Sequence, residues 1–153
     1  MCDAFKHDMK VARRLNQKPA HPDNSAIRAQ VSSIIRLNFK KQKKKLLRPD
    51  SGLGWSLQRL VIAERQYKCF PYLRLKYGRL PPTETIDEFW HAHILDTEKY
   101  IGDTALIFGR YEHHYPYRGL EGKRDEKRWL RSFSRAQELY KKEFGDILYE
   151  IDY

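Results

Sequence analysis

A chain of 153 residues, 41% hydrophobic and 33% charged, can bury about two-thirds of the surface its unfolded form exposes, which sets one small core beneath a heavily charged surface as the expectation. No run reaches the roughly 20 apolar residues that cross a bilayer and no charged, apolar, small-residue leader opens the chain, so the sequence predicts a soluble, cytoplasmic protein with no membrane partner. Cys2 and Cys69 are the only cysteines and lack C-x-x-C spacing; they indicate neither a disulfide framework nor a zinc knuckle, and Cys69 reads as a small buried hydrophobe.

Residues 1–24 mix charges with Pro19 and Pro22 and read as a flexible or partly helical leader. From Ser25 onward the pattern predicts one all-α compact domain, residues 25–153, of about four to five helices with a histidine-bearing loop. Ile27, Val31, Ile34, Ile35, Leu37 and Phe39 recur near the helical period and predict a helix over 26–46, closed by Pro49-Asp50-Ser51-Gly52. A second helix is expected from Trp55 to Cys69, with Leu57, Leu60, Val61 and Tyr67 on its apolar stripe and Pro71 as its stop or kink. Glu64 falls within that stripe and needs a partner, either Lys68 one turn on or a metal or histidine from elsewhere. Thr83 or Thr85 can cap a third helix over 86–108, Glu88 completing a box with Thr85, and Gly109 suits its C-terminus. Arg110 to Gly122 reads as loop. A last helix over 125–144 places Trp129, Phe133, Ala136 and Tyr140 inside, and Gly145 ends it.

The net charge of +10 raises the possibility of a polyanionic partner, nucleic acid or an acidic protein. Much of it sits in Lys40, Lys41, Lys43, Lys44, Lys45 and Arg48, where a solvated helix end is the simpler account, because cations there also favour the helix dipole.

Chemistry concentrates between Asp87 and His114, where four of the six histidines occur. His91 and His93 are two residues apart and point about 200° from one another on a regular helix, so they cannot share one metal. Asp87 and His91 stand at i and i+4, side by side, able to hydrogen-bond or to share a cation. His93 faces inward, toward Asp96 or Tyr100, where His113, His114 and Glu64 could converge. Two imidazoles with a carboxylate suit zinc or non-haem iron and leave positions open for substrate. The candidate ligands are therefore Asp87, His91, His93, Asp96, His113 and His114, with Asp87, His91 and His93 as candidate catalytic groups and Glu64, Trp90, Tyr100 and Asp103 as supporting residues. A lone inward histidine is more often a satisfied core residue, and His93 taken singly fits that description.

The run from Ile86 to Thr97, followed by Tyr100, Asp103, Phe108-Gly109 and His113-His114-Tyr115-Pro116-Tyr117, resembles bacterial members of the glycine-rich domain-containing protein-like family. The similarity spans about residues 55–146 and rests on the D-x-x-x-W-H-x-H core with its following H-H-x-P. It implies that Asp87, Trp90, His91, His93, Asp96, Tyr100, Asp103 and His114 form a signature. It implies no reaction. Thr104 stands where that family commonly carries a cysteine, which argues against a thiolate role at this position. The functional expectation is a small zinc or iron enzyme acting on a small-molecule or peptide substrate, set against a basic helical binding module whose histidines are structural.

Overall fold

The computed structural model describes residues 24–146, and these hold six helices: α1 (Asn24–Ile35), α2 (Lys40–Leu46), α3 (Leu57–Tyr77), α4 (Glu84–Ile94), α5 (Thr97–Phe108) and α6 (Lys123–Phe144). All of the expected leader but Asn24, with Cys2, and the final seven residues lie outside the described part. Among the described residues every regular element is helical, and no helix is long and apolar enough to cross a membrane.

Two breaks raise the helix number above the expected four to five. The helix expected over 26–46 parts at Arg36–Phe39, where the Asn38 side chain accepts from Lys40 N at 3.0 Å. Asparagine offers the backbone a local bond that a helix does not use, and the bend lets Leu37 and Phe39 both enter the core. The helix expected over 86–108 parts at Leu95-Asp96, Asp96 leaving the helical region with ψ 72°. This break resets the helical phase: Tyr100, Thr104 and Ile107 are buried, while Ile101, placed on the apolar face by an unbroken helix, is 54% exposed.

The second helix differs in the other direction. It begins at the Ser56 cap, whose hydroxyl accepts from Arg59 N at 3.1 Å, and runs through Pro71 to Gly78. An interior proline forfeits one backbone bond and costs about 3 kcal/mol. Burial of Phe70 and Leu73 on either side of it offsets that, at roughly 1.5–3 kcal/mol for each large side chain. The buried stripe of α3 is Leu60, Ala63, Tyr67, Phe70, Leu73 and Arg74, whereas Leu57 and Val61 face solvent. Glu64 sits at the stripe's border and pairs with Lys43 at 2.6 Å and Lys68 at 3.3 Å, the charge-pair alternative of the two expected for it.

α3 is the central element, packed against α1 and α4; α1 also meets α5, α4 meets α5, and α2 meets α4. Aromatic edges fill the junction of α2, α3 and α4: Phe39 stands 5.5 Å from Tyr67 and 5.2 Å from Phe89, ring centre to ring centre. Cys69 is fully buried. Helix α6 returns along α3, where Glu143 accepts from Tyr72, Lys76 and Tyr77. Its buried residues are Ala136, Tyr140 and Phe144; Trp129 and Phe133, expected inside, are half-buried.

Candidate functional site

Helix α4 carries the residues that matter and is well anchored. Thr83, not Thr85, is its cap, accepting from Ile86 N at 3.2 Å. Thr85 is buried within the first turn, and Glu88 leaves the expected capping box to bind Arg59 on α3 at 2.6 Å. With the helix so fixed, its two histidines diverge as their spacing requires.

His93 points into the core and is 2% exposed. Its Nε2 lies 3.0 Å from an Asp103 carboxylate oxygen and its Nδ1 lies 2.8 Å from the Tyr67 hydroxyl. A carboxylate only accepts, so Nε2 carries the proton and Nδ1 accepts from Tyr67. Burial pushes the His93 pKa down to about 4, against the opposing pull of Asp103, and burial raises that of Tyr67, keeping its hydroxyl protonated. Both ring nitrogens are thereby committed to protein partners. Lys99 also reaches Asp103, at 2.5 Å, and the Phe39 and Tyr100 rings each stand 4.9 Å from the imidazole. His93 is a satisfied core residue in this arrangement.

The convergence occurs on the other side of α4. His114 Nε2 is 2.6 Å from Asp87 Oδ1, and His91 Nε2 is 3.5 Å from Asp87 Oδ2. The three groups offer one donor atom each within 4.8 Å of one another. The His91 and His114 rings are 4.7 Å apart, and Trp90 presses edge-on against His114 at 4.5 Å. His91 has a half-exposed side chain, whereas that of His114 is nearly covered.

What brings His114 back to α4 is a buried anchor two residues earlier in the chain. Glu112 forms an ion pair with Arg74 of α3, both side chains buried. The Glu112 carbonyl accepts from the Tyr100 hydroxyl at 2.5 Å, and that hydroxyl accepts from Trp90 Nε1 at 2.8 Å. Trp90 and Tyr100 thus hold the loop rather than a ligand. Neither Arg74 nor Glu112 is evident as a site residue from sequence, because ending the second helix at Pro71 removes Arg74 from consideration. A helix carried on to Gly78 puts Arg74 one turn after Phe70, on the buried face.

The remaining candidates lie apart from the cluster. Asp96 accepts from Gln42 Nε2 at 2.8 Å, which fastens the α4–α5 corner to α2. His113 is exposed and turns toward Tyr111, ring centres 4.8 Å apart. Glu64 is occupied by lysines and Asp103 by His93 and Lys99. The expected meeting of His93 with His113, His114 and Glu64 therefore does not occur: the helix axis separates His93 from His114, and the loop delivers His114 to Asp87. Lys41, Lys44, Lys45 and Arg48 border one surface hollow, while Lys43 is drawn away to Glu64.

His114 and Trp90 also wall a cleft of about 380 Å³, completed by Arg74, Arg79, Arg118 and His113 among others. Asp87 borders a second, shallower depression that reaches Trp129 and Phe133 of α6. Chemically, the cluster can coordinate a divalent cation, or pass a proton along the Asp87–His114 hydrogen bond. No protein-family model, no curated protein and no solved structure matches the chain.

Proposed function

We propose that Asp87, His91 and His114 hold a divalent metal, zinc or non-haem iron, and that the chain is a small metal-dependent enzyme whose substrate enters the cleft beside His114. The observation that carries this reading is the approach of two imidazole nitrogens and one carboxylate oxygen to within 4.8 Å, from two segments 27 residues apart along the chain. The donor set fits the group. Ligands at about 2.1 Å from a tetrahedral zinc stand roughly 3.4 Å apart, so small side-chain rotations close the set. Three protein donors leave at least one position open, as catalytic rather than structural sites do. A metal of this class supplies an activated water or, for iron, a place for dioxygen.

The chain's own residues do the positioning. Trp90 packs edge-on against His114, and the Arg74–Glu112 pair ties the loop to α3. In this reading the signature residues have two jobs: Asp87, His91 and His114 bind, while Trp90, His93, Tyr100 and Asp103 keep α4, α5 and the loop in register. A helix-borne carboxylate–histidine pair closed by one loop histidine needs such a rigid frame, since a displacement of about 1 Å is enough to degrade a site.

Metal analysis of untagged protein after reconstitution with Zn(II) or anaerobic Fe(II) tests this. One equivalent is expected for the wild type and for His93→Gln, and affinity at least about 100-fold weaker for His91→Ala and His114→Ala. Failure of the wild type to retain either metal, or equal retention by all four proteins, would refute the reading.

A further inference from the structure

The cleft beside His114 has an unusual charge pattern. Three guanidiniums, Arg74, Arg79 and Arg118, and the two imidazoles His113 and His114 line it, and among the described residues no carboxylate does. Arg74 is buried, and its Nε finds no hydrogen-bond partner. Its pKa is lowered first by burial and further by the like charges of Arg118 and Arg79, against the opposing pull of Glu112. Glu112 answers only part of this charge and is shared between Arg74 and the exposed Arg110, 3.5 Å away. Among the described residues Arg79 and Arg118 make no ion pair. Like charges gathered at one concavity repel, and a bound anion relieves that repulsion.

We infer that this cleft is a binding site for a small oxyanion, a carboxylate or phosphate group, held by Arg79 and Arg118 at its rim and by the field of Arg74 at its wall. A volume of about 380 Å³ admits a metabolite-sized acid. Guanidinium forks match both headgroups, since each offers two oxygens to parallel N–H donors. The apolar face of Trp90 and the covered flank of His114 keep bulk water from part of the site, where a charge-assisted bond is stronger than at the open surface. The lysine hollow of α2 lacks these features: its cations stand on an exposed helix end with no aromatic wall. That the bound anion is the substrate, presented to the Asp87–His91–His114 cluster, rests on the metal reading; the anion site itself does not.

The experiment uses metal-free full-length protein at low ionic strength, titrated calorimetrically with inorganic phosphate and, separately, with succinate. Saturable binding of one or both is expected, at least about tenfold weaker in Arg79→Gln/Arg118→Gln, with less than a twofold change in Lys44→Gln/Lys45→Gln, which removes the same charge elsewhere. Binding of phosphate alone assigns a phosphoryl ligand, of succinate alone a carboxylic acid, and of both the shared oxyanion chemistry. No saturable binding by the wild type, or equal weakening by the two double variants, overturns the proposal. Because metal is absent throughout, failure of the metal reading leaves this result standing, and failure here leaves metal binding by His91 and His114 untouched.

Discussion

His91 and His93 belong to one turn of one helix and live in opposite chemical worlds. His93 is enclosed by α3 and α5, each nitrogen hydrogen-bonded to a protein group. His91 is half exposed and leans on a carboxylate that is itself half exposed and shared with His114. Counting histidines in a stretch therefore overstates a site. What separates the two is committed bonding capacity: both ring nitrogens of His93 are spent on protein partners, while the His91 side chain stands half exposed.

The sharpest way to break this comparison is to remove each ring in turn and measure stability. His93→Leu keeps the apolar volume but strands the Tyr67 hydroxyl in the interior, while Asp103 keeps its bond to Lys99. At about 1–3 kcal/mol for an abandoned buried polar group, a loss of about 2–3 kcal/mol is expected. His91→Ala removes an exposed side chain and is expected to fall within about 0.5 kcal/mol of wild type. Urea unfolding midpoints measure both; similar losses from the two variants would mean that the closed and open sites are not different in kind.

Acidity offers a second way to sharpen it. The folded chain holds His93 neutral down to about pH 4, whereas the unfolded chain protonates it near 6.5. Between those values the unfolded state takes up a proton that the folded state refuses, so stability falls as pH falls through that window and levels off below about 4. The slope is about 1.4 kcal/mol per pH unit, roughly 3 kcal/mol in all. Because carboxylates titrate in the same range, the measurable quantity is the difference between wild type and His93→Gln: unfolding free energy of the wild type should drop more steeply from pH 6.5 to 4. Parallel curves would show that His93 is not held neutral.

Much of this was legible in the residues. The all-helical architecture, the inward His93, the Asp87–His91 pair and the Glu64–Lys68 pair all follow from a period of 3.6 and a pairing distance of one turn. What periodicity could not show is where a helix stops when no glycine or proline marks the place. Asn38 and Asp96 end helices through side-chain bonds, the second of them to a residue 54 positions away. Pro71 marks a stop that tertiary burial overrides. Two misplaced boundaries then misassigned a face, Ile101 inward and Arg74 unnoticed, while Leu57 and Val61 were set on the wrong stripe of a helix that is regular there. The partner of Asp87 was legible only as one histidine among several, because a loop's return path depends on a buried ion pair whose two members lie 38 residues apart.

The corner at Asp96 gives the smallest effect and the most discriminating one. Gln42 is buried and donates to Asp96 at 2.8 Å, a bond that ties α2 to the point where α5 turns back and brings Asp103 to His93. Asp96→Ala leaves the Gln42 amide unmet, and a destabilisation of about 1–2 kcal/mol is expected. The disturbance should stay on the closed side: amide hydrogen exchange should quicken in α5, while metal retention through Asp87, His91 and His114 stays within about twofold of wild type, since α4 keeps its Thr83 cap and its Arg59–Glu88 tie to α3. Loss of metal binding in Asp96→Ala would instead make Asp96 a participant in the site, and the division between a framework histidine and a working one would have to be redrawn around it.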